Sequence, residues 1–519
     1  MTRITYSSTA NQDMTSIYQA FESALADLKS ASEKAFATSV QNADLWLEKK
    51  CPYDSRLTVG RFKLTQANTL NDLFAKSKQA QRIFAEKPWQ YRVSLCQKAA
   101  QLIQEQLPYL AAVVSFETGK NRLEALGEVQ EAVDLFLYYA KQLEDAQGYI
   151  KPLAQLSAQE STQSILKPYG VFVVIAPFNF PFALAVGMSA AALLGGNSVI
   201  LKPSEETPFS ADALLKIMRQ AGFDESLFQV IYAKGVEIAK QCVEHKACDG
   251  VAFTGSHPVG MSILQTLSKG RYPKPCLMEM GGKNPAFITA SANLSHAVMG
   301  CFKSAFGLTG QKCSALSRLY IHEKIYTPFV TQLIKKTQTL VVGSPESAQS
   351  FMGPLISETA LMRYIQTIDE LRQDPLCSIV LGGQTQTHNA ALQYGFFVSP
   401  TIVEVPMNHP ILKKELFMPI LALQKFTHLE QAIEHANDCD FGLTAGIFSQ
   451  DKQEIDLFMN RIQAGVLYAN RSAGATTGAW PGVQAFCGWK GSGSSGKGGC
   501  GPYYVSQFMR EQSQTYVDD

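Results

Sequence analysis

The chain has 519 residues, more than one hydrophobic core ordinarily supports, so two or three domains are expected. Its 46 basic and 45 acidic side chains leave a formal charge of +1, which argues against an electrostatic footprint for nucleic acid. Eleven cysteines, an odd number without CxxC pairs or zinc spacing, argue against a disulfide framework and read as reduced thiols of a cytoplasmic protein. The eight histidines are isolated in sequence, and no metal site is expected.

The opening segment, MTRITYSSTANQDM, lacks an apolar run, so no secretory signal is expected. Residues 15 to 145 read as mostly helical, with apolar residues at three- and four-residue spacing over Ala80 to Phe84 and Val93 to Leu107. Glu117-Thr118-Gly119-Lys120 predicts a helix end with Gly near C′, and an amphipathic helix follows from Arg122 to Leu143. No charged residue occurs between Lys167 and Lys202. Pro177 and Pro181 would interrupt a spanning helix there, so a buried strand, a turn and a buried helix are expected rather than a membrane span.

From Tyr169 short apolar runs alternate with helical ones. Strands are expected at Val171 to Ala176, Ser198 to Leu201, Phe228 to Ile231, Gly250 to Phe253 and Cys276 to Met280. Helices are expected at Ala183 to Leu194, Ala211 to Gln220, Val236 to Glu244 and Val259 to Leu267. The alternation predicts a parallel sheet covered on both faces, a Rossmann-like nucleotide-binding domain. A second α/β segment begins after Gly281, with strands at Ala286 to Thr289, Arg318 to Ile321, Ser378 to Leu381 and Ala445 to Phe448. Gly482 to Gly501 reads as a loop, followed by a short strand or arm over Tyr503 to Phe508.

The GxGxxG phosphate signature is absent. Gly255 to Gly260 carries GxxxxG after a strand, and Ser256 is placed to cap a helix starting at Pro258. Lys202 and Glu205 follow another buried strand, where an ammonium and a carboxylate suit ribose hydroxyls. Cys313, in Gly310-Gln311-Lys312-Cys313-Ser314, is a candidate nucleophile, with Lys312 and a nearby helix end to favour the thiolate. Glu279 stands between two methionines, where burial would raise its pKa toward that of a useful base; the bland alternative is a salt bridge to Lys283. Asn179, between Phe178 and Phe180, can donate to an oxyanion or simply make a turn.

Taken in order, Pro177-Phe178-Asn179-Phe180-Pro181, Lys202-Pro203-Ser204-Glu205, Phe253-Thr254-Gly255-Ser256, Glu279-Met280-Gly281-Gly282-Lys283, Gly310-Gln311-Lys312-Cys313 and Glu415-Leu416-Phe417-Met418-Pro419 resemble the aldehyde dehydrogenase superfamily. The resemblance implies an α/β fold with a Rossmann-like cofactor domain, an α/β catalytic domain and a small β segment that pairs subunits. Residues 1–147 and 169–280 would form the first, 281–480 the second, and 148–168 with 495–519 the third, giving a homodimer or higher homo-oligomer with no membrane partner. It implies that Cys313 attacks an aldehyde carbon, that Asn179 and the Cys313 backbone N–H hold the oxyanion, and that Glu279 activates the hydrolytic water. The cofactor would be NAD, with NADP as the alternative, held by Ile175, Pro177, Phe178, Lys202, Ser204, Glu205, Gly235, Thr254, Gly255, Ser256, Gly281, Glu415 and Phe417. Glu205 favours NAD, because it would repel a 2′-phosphate.

More finely, Gly310 to Ala315, Pro275 to Pro285, Asn470-Arg471 with Thr477-Gly478-Ala479, and Gly501-Pro502-Tyr503 are similar to L-glutamate γ-semialdehyde dehydrogenases, also called 1-pyrroline-5-carboxylate dehydrogenases. That likeness implies oxidation of the semialdehyde to glutamate in proline breakdown. Ser314 and the backbone at Gly478 and Ala479 would receive the α-carboxylate, and Phe486 and Phe182 would pack on its aliphatic part. The alternative is a dehydrogenase for another semialdehyde. Met418 stands where the family has Gly, Cys487 departs from its Gln-Pro-Phe-Gly-Gly run, and Trp480 is bulkier than expected.

Overall fold

The computed structural model describes residues 4–5, 13–35 and 43–517. Five helices come first: α1 (Thr15–Ala35), α2 (Leu70–Glu86), α3 (Trp89–Glu105), α4 (Leu107–Thr118) and α5 (Arg122–Asp145). Helix α4 ends on Gly119 at φ 77°, the left-handed cap its sequence predicts. Asn121 then caps α5, its side chain accepting from Glu124 N. One element in this region departs from the helical expectation: Trp46–Lys50 and Thr58–Lys63 form an antiparallel hairpin. Its strands are too short, and their alternation too weak, to stand out in sequence.

The charge-free stretch resolves as strand Val171–Ile175, a turn, α6 (Ala183–Leu194) and strand Ser198–Lys202. Among the described residues no helix is long and apolar enough to cross a membrane. Five parallel strands lie in the spatial order Phe228–Val230, Ser198–Lys202, Val171–Ile175, Gly250–Gly255, Cys276–Met280. The chain therefore starts at the sheet centre and reverses direction there. Such a reversal opens a crevice at the carboxyl ends of the two central strands. The helix after Gly250–Gly255 begins at His257, one residue earlier than expected, and Ser256 occupies its N-cap without a side-chain cap bond.

The second sheet has seven strands in the order Ser378–Leu381, Thr401–Glu404, Ile420–Phe426, Leu316–His322, Asn284–Ile288, Thr444–Phe448, Val466–Ala469, parallel except at the first. A third sheet pairs Glu160–Pro168 with Met509–Val517 and Ile150–Pro152, all antiparallel. The arm expected at Tyr503 to Phe508 is instead a 3₁₀ turn at Val505–Phe508, and the strand begins at Met509. Tyr504, Val505 and Phe508 belong to the large core shared with α1 to α6. Their side chains are aromatic or branched and buried, so an alternating half-exposed strand is not open to them.

Candidate active site

A cavity of about 1590 Å³ lies between the two large sheets. It is lined from one side by the carboxyl ends of the five-stranded sheet: Ile175, Pro177, Phe178, Asn179, Lys202, Ser204, Glu205, Thr254, Gly255, Ser256, Glu279 and Gly281. Cys313, Ser314, Glu415, Phe417, Gly478, Ala479 and Phe486 face it from the other. Gly235 also lines it, donating its N–H to Glu205 Oε2 at 2.9 Å. Nearly every expected site residue thus meets in one space. The exception is Phe182, whose ring is fully buried in the core while its N–H donates to Glu128 Oε1 at 2.8 Å. Phe180 lines the cavity in its place. One residue lines the cavity and the other lies in the core, which residue spacing does not reveal.

Cys313 follows a tight turn in which Leu308, Thr309 and Gly310 all have positive φ. For the two side-chain-bearing residues this backbone is strained, by about 1–3 kcal/mol each, so the surroundings must hold it. Leu308 N donates to Glu124 Oε1 at 2.6 Å, Thr309 Oγ1 to Gly353 O at 3.0 Å, and Ile356 N to Gln311 Oε1 at 3.0 Å. Asn284 Nδ2 donates to Cys313 O at 2.7 Å. Burial first, then the carboxylates of Glu415 and Glu279, push the Cys313 thiol up to about 12. The resting group is therefore a thiol that needs a proton acceptor. Lys312 is half-buried at the cavity wall and faces Glu124 as well as Cys313, so its charge is shared rather than spent on the thiol.

Glu279 Oε1 accepts from Gly499 N at 2.7 Å, and burial pushes its carboxyl up to about 7, with that bond opposing the shift. A Glu279–Lys283 salt bridge is not formed among the described residues; the Lys283 ammonium is buried without a hydrogen-bond partner. Glu415 Oε1 accepts from Gly282 N at 2.9 Å, and burial raises its carboxyl to about 7 as well. Phe417, at φ 60°, meets Phe178 edge-on with ring centroids 5.7 Å apart. The left-handed residue of this turn is Phe417 and not Met418, so Met418 needs no glycine conformation; its side chain fills a hydrophobic cluster. Its backbone lies so near Gly310 that a Cβ there would stand 2.6 Å away.

Helix α5 organises these loops, a role not legible in its amphipathic pattern. Glu124 holds the Cys313 turn. Glu128 forms a fully buried ion pair with Lys120 and accepts from Phe182 N and Ala183 N, fixing the Asn179 loop against the start of α6. Trp480 Nε1 donates to Asp134 Oδ2 at 2.6 Å. Cys500 N donates to the Tyr139 hydroxyl at 2.9 Å, and Gln142 Nε2 to Gly501 O at 3.0 Å, so the segment that binds Glu279 hangs on the same helix. Of the departures near residue 480, Trp480 forms part of the cavity wall, whereas Cys487 is not among the lining residues. Tyr18 of α1 lines the cavity too, and its ring faces Arg122 at 5.2 Å.

The histidines are not all isolated in space. Asp374, Cys377 and His409 bring their ligand atoms within 4.8 Å of one another. His409 Nδ1 accepts from Ile411 N at 3.2 Å, which places the neutral ring's proton on Nε2, toward Asp374 Oδ2 at 3.1 Å. A metal at Nε2 would require the opposite tautomer, so this is a hydrogen-bonded cluster with chemistry opposed to metal binding.

An α/β enzyme is defined here: a cofactor-type sheet with its crevice open toward a half-buried cysteine, a carboxylate and an amide. The chain belongs to the aldehyde dehydrogenase family, whose profile matches residues 39–513. It is similar to 1-pyrroline-5-carboxylate dehydrogenase 2 of Bacillus subtilis, 30% identical over 518 residues, covering 97% of this chain and 96% of that one. Among solved structures it is similar to a Thermus 1-pyrroline-5-carboxylate dehydrogenase with bound NAD, at TM-score 0.90 and 27% identity, covering 100% and 99% of the two chains. It also resembles proline utilization A from Bdellovibrio bacteriovorus, at TM-score 0.89 and 30% identity over 96% of this chain; the chain spans 52% of that longer polypeptide.

Proposed function

We propose that this protein oxidises L-glutamate γ-semialdehyde, the hydrolysed form of 1-pyrroline-5-carboxylate, to L-glutamate with NAD. The observation that carries the reading is the convergence of Ser314, Gly478, Ala479 and Phe486 on the cavity that also receives Cys313. Backbone N–H groups, a hydroxyl and an aromatic face suit a short chain with an aldehyde at one end and a carboxylate at the other. Relatives bearing the 1-pyrroline-5-carboxylate dehydrogenase name, at about this identity over nearly the whole chain, support it.

The cofactor fits the crevice. Lys202 is nine-tenths buried at a strand end, with burial lowering its pKa and Glu205 opposing, so both groups are placed to meet a polar ligand. The N-terminus of the His257–Ser268 helix has no side-chain cap, which leaves backbone N–H groups for a pyrophosphate. When bound, the nicotinamide supplies the acceptor for the hydride that leaves the substrate carbon.

The protein's own groups do the rest. Cys313 Sγ adds to the aldehyde carbon and its proton departs to a base, giving a thiohemiacetal whose oxyanion the Asn179 amide and the Cys313 N–H receive. Loss of hydride leaves a thioester on Cys313. Glu279 takes a proton from water as that water adds to the thioester carbon, and the thiolate leaves with the acyl group freed as a carboxylic acid.

Steady-state assay with pyrroline-5-carboxylate beside ordinary aldehydes, each with NAD and NADP, tests the reading. Reduced nicotinamide from pyrroline-5-carboxylate, abolished by Cys313→Ala, is expected; turnover of simple aldehydes alone would refute the substrate. A second reading, another semialdehyde, is favoured by Trp480 in the cavity wall, and the same panel separates the two. The third sheet, with Ile150, Tyr516 and Val517 exposed on its strands and Leu153 and Leu156 exposed on the connection between two of them, is proposed as the subunit-pairing segment, which light scattering checks.

A further inference from the structure

The loop Ala473–Ala479 and the helix Leu294–Phe306 meet beside Ser314. Thr476 N donates to Ser304 Oγ at 3.1 Å, Thr476 Oγ1 to Ser314 O at 2.8 Å, and the hydroxyls of Ser304 and Thr477 lie 3.3 Å apart. Two cations stand at this junction, and both line the cavity: Lys303, next to Ser304, and Arg471, which precedes the loop. Arg471 Nη1 donates to Thr477 O at 2.5 Å, and its guanidinium fills the space beneath Gly478, where a Cβ would meet Cζ at 2.3 Å. Gly478 has φ +141°, so both its backbone and the arginine below it demand glycine.

Neither cation is neutralised. Among the described residues no carboxylate lies within ion-pair distance of Lys303 or Arg471. Burial lowers the Lys303 pKa, and Arg471 and Lys336 lower it further, so like charges are held near one another at a half-buried place. Like charges so arranged are unfavourable in the free protein and are relieved by an anion.

We propose that Lys303 and Arg471 form a cationic wall behind the loop of Gly478 and Ala479 that makes the aldehyde site selective for substrates bearing an anionic group distal to the aldehyde. This rests on the reading that the loop receives the substrate's carboxylate. It adds two residues to that reading and a division of work between them. Arg471 is a positioning residue: it shapes the loop through Thr477 and supports the carboxylate from behind. Lys303 contributes charge alone, since it makes no hydrogen bond within the described structure. Its interaction with the anion is made equally in ground and transition states, so it acts on KM and leaves kcat.

The test uses the full-length enzyme and measures kcat and KM for glutamate semialdehyde, for succinate semialdehyde as a second anionic aldehyde, and for a neutral aldehyde of similar length. Lys303→Met is expected to lower the ratio of kcat/KM for anionic over neutral aldehydes about tenfold, the effect of one charge in a half-screened site, through KM. The parent's KM for the anionic aldehydes should rise with added salt, and Lys303→Met should flatten that dependence. Arg471→Lys, which keeps charge without the fork, should retain the anionic preference but lose kcat for both classes. A Lys303→Met variant whose ratio and salt dependence match the parent overturns the proposal, as does a parent that prefers the neutral aldehyde. If the parent ignores glutamate semialdehyde yet Lys303→Met loses preference for succinate semialdehyde, the substrate reading falls and the cationic wall stands.

Discussion

The pH dependence of acyl-enzyme hydrolysis follows from how Glu279 is held. Its carboxyl has one hydrogen bond, from Gly499 N, no cation within ion-pair distance among the described residues, and a pKa pushed by burial to about 7. A base of that pKa is about one-tenth ionised at pH 6 and about nine-tenths at pH 8. Hydrolysis of a preformed acyl-enzyme, followed by single-turnover quench, should therefore rise about tenfold over this range. A carboxylate at an ordinary pKa near 4.3 would change the rate by only about a few per cent. Stability gives an independent reading. A carboxyl raised on folding costs nothing below its unfolded pKa and imposes its full cost above its folded one. That cost is at most about 4 kcal/mol above pH 7, an upper figure because Glu279 opens on the cavity. Glu279→Gln should thus abolish the pH limb and melt higher than the parent above pH 7, with the difference vanishing near pH 4. A parental rate flat between pH 6 and 8, or a Glu279→Gln variant that keeps the limb, would exclude Glu279 as the hydrolytic base.

Other outcomes follow from single contacts. Lys120→Met strips the partner from buried Glu128 and should destabilise by about 3–5 kcal/mol, read as a lowered melting temperature; adding Glu128→Gln should recover part of it. Tyr139→Phe leaves the buried Cys500 N–H without its acceptor, so Gly499 is held less firmly and the hydrolysis pKa should move upward; a fall in rate without that movement would mean a structural role only. Gly310→Ala places a Cβ 2.6 Å from the Met418 backbone at φ +66°, and should abolish thiol labelling at Cys313 or soluble expression. Trp480→Phe leaves the buried Asp134 Oδ2 without the indole donor and should cost about 1–3 kcal/mol, measured by thermal or urea denaturation.

Much of the molecule is legible in the residues alone. Periodicity locates the strands Val171–Ile175 and Cys276–Met280 and helix α6 to within a residue, because their apolar runs are long and bounded by glycine or proline. Cys313, Glu279 and Asn179 are legible because each sits in a short motif whose meaning is local. Where a residue's role depends on a distant partner, sequence falls silent. Glu124, Glu128, Asp134 and Tyr139 read as the polar face of an ordinary helix. Only packing shows them holding groups 54 to 361 positions away, backbone N–H for three of them and the Trp480 indole for Asp134. Arg471 is legible as a motif letter, yet its work depends on filling the space under Gly478.

The linear chain suffices for the alternation of elements, the absence of an uninterrupted membrane-length helix in the charge-free stretch, and the marking of Cys313, Glu279 and Asn179 as candidate reacting groups, because these depend on side-chain chemistry and neighbours a few residues apart. Tertiary structure alone decided that Phe180 and not Phe182 faces the cavity, that Met418 is tolerated because Phe417 carries the left-handed turn, and that residues 504–508 are core rather than arm. It also decided that Lys303 and Arg471 stand together without a countercharge among the described residues. Those outcomes turn on which way a turn points and what fills the volume beside it, quantities set by packing between elements far apart in the chain.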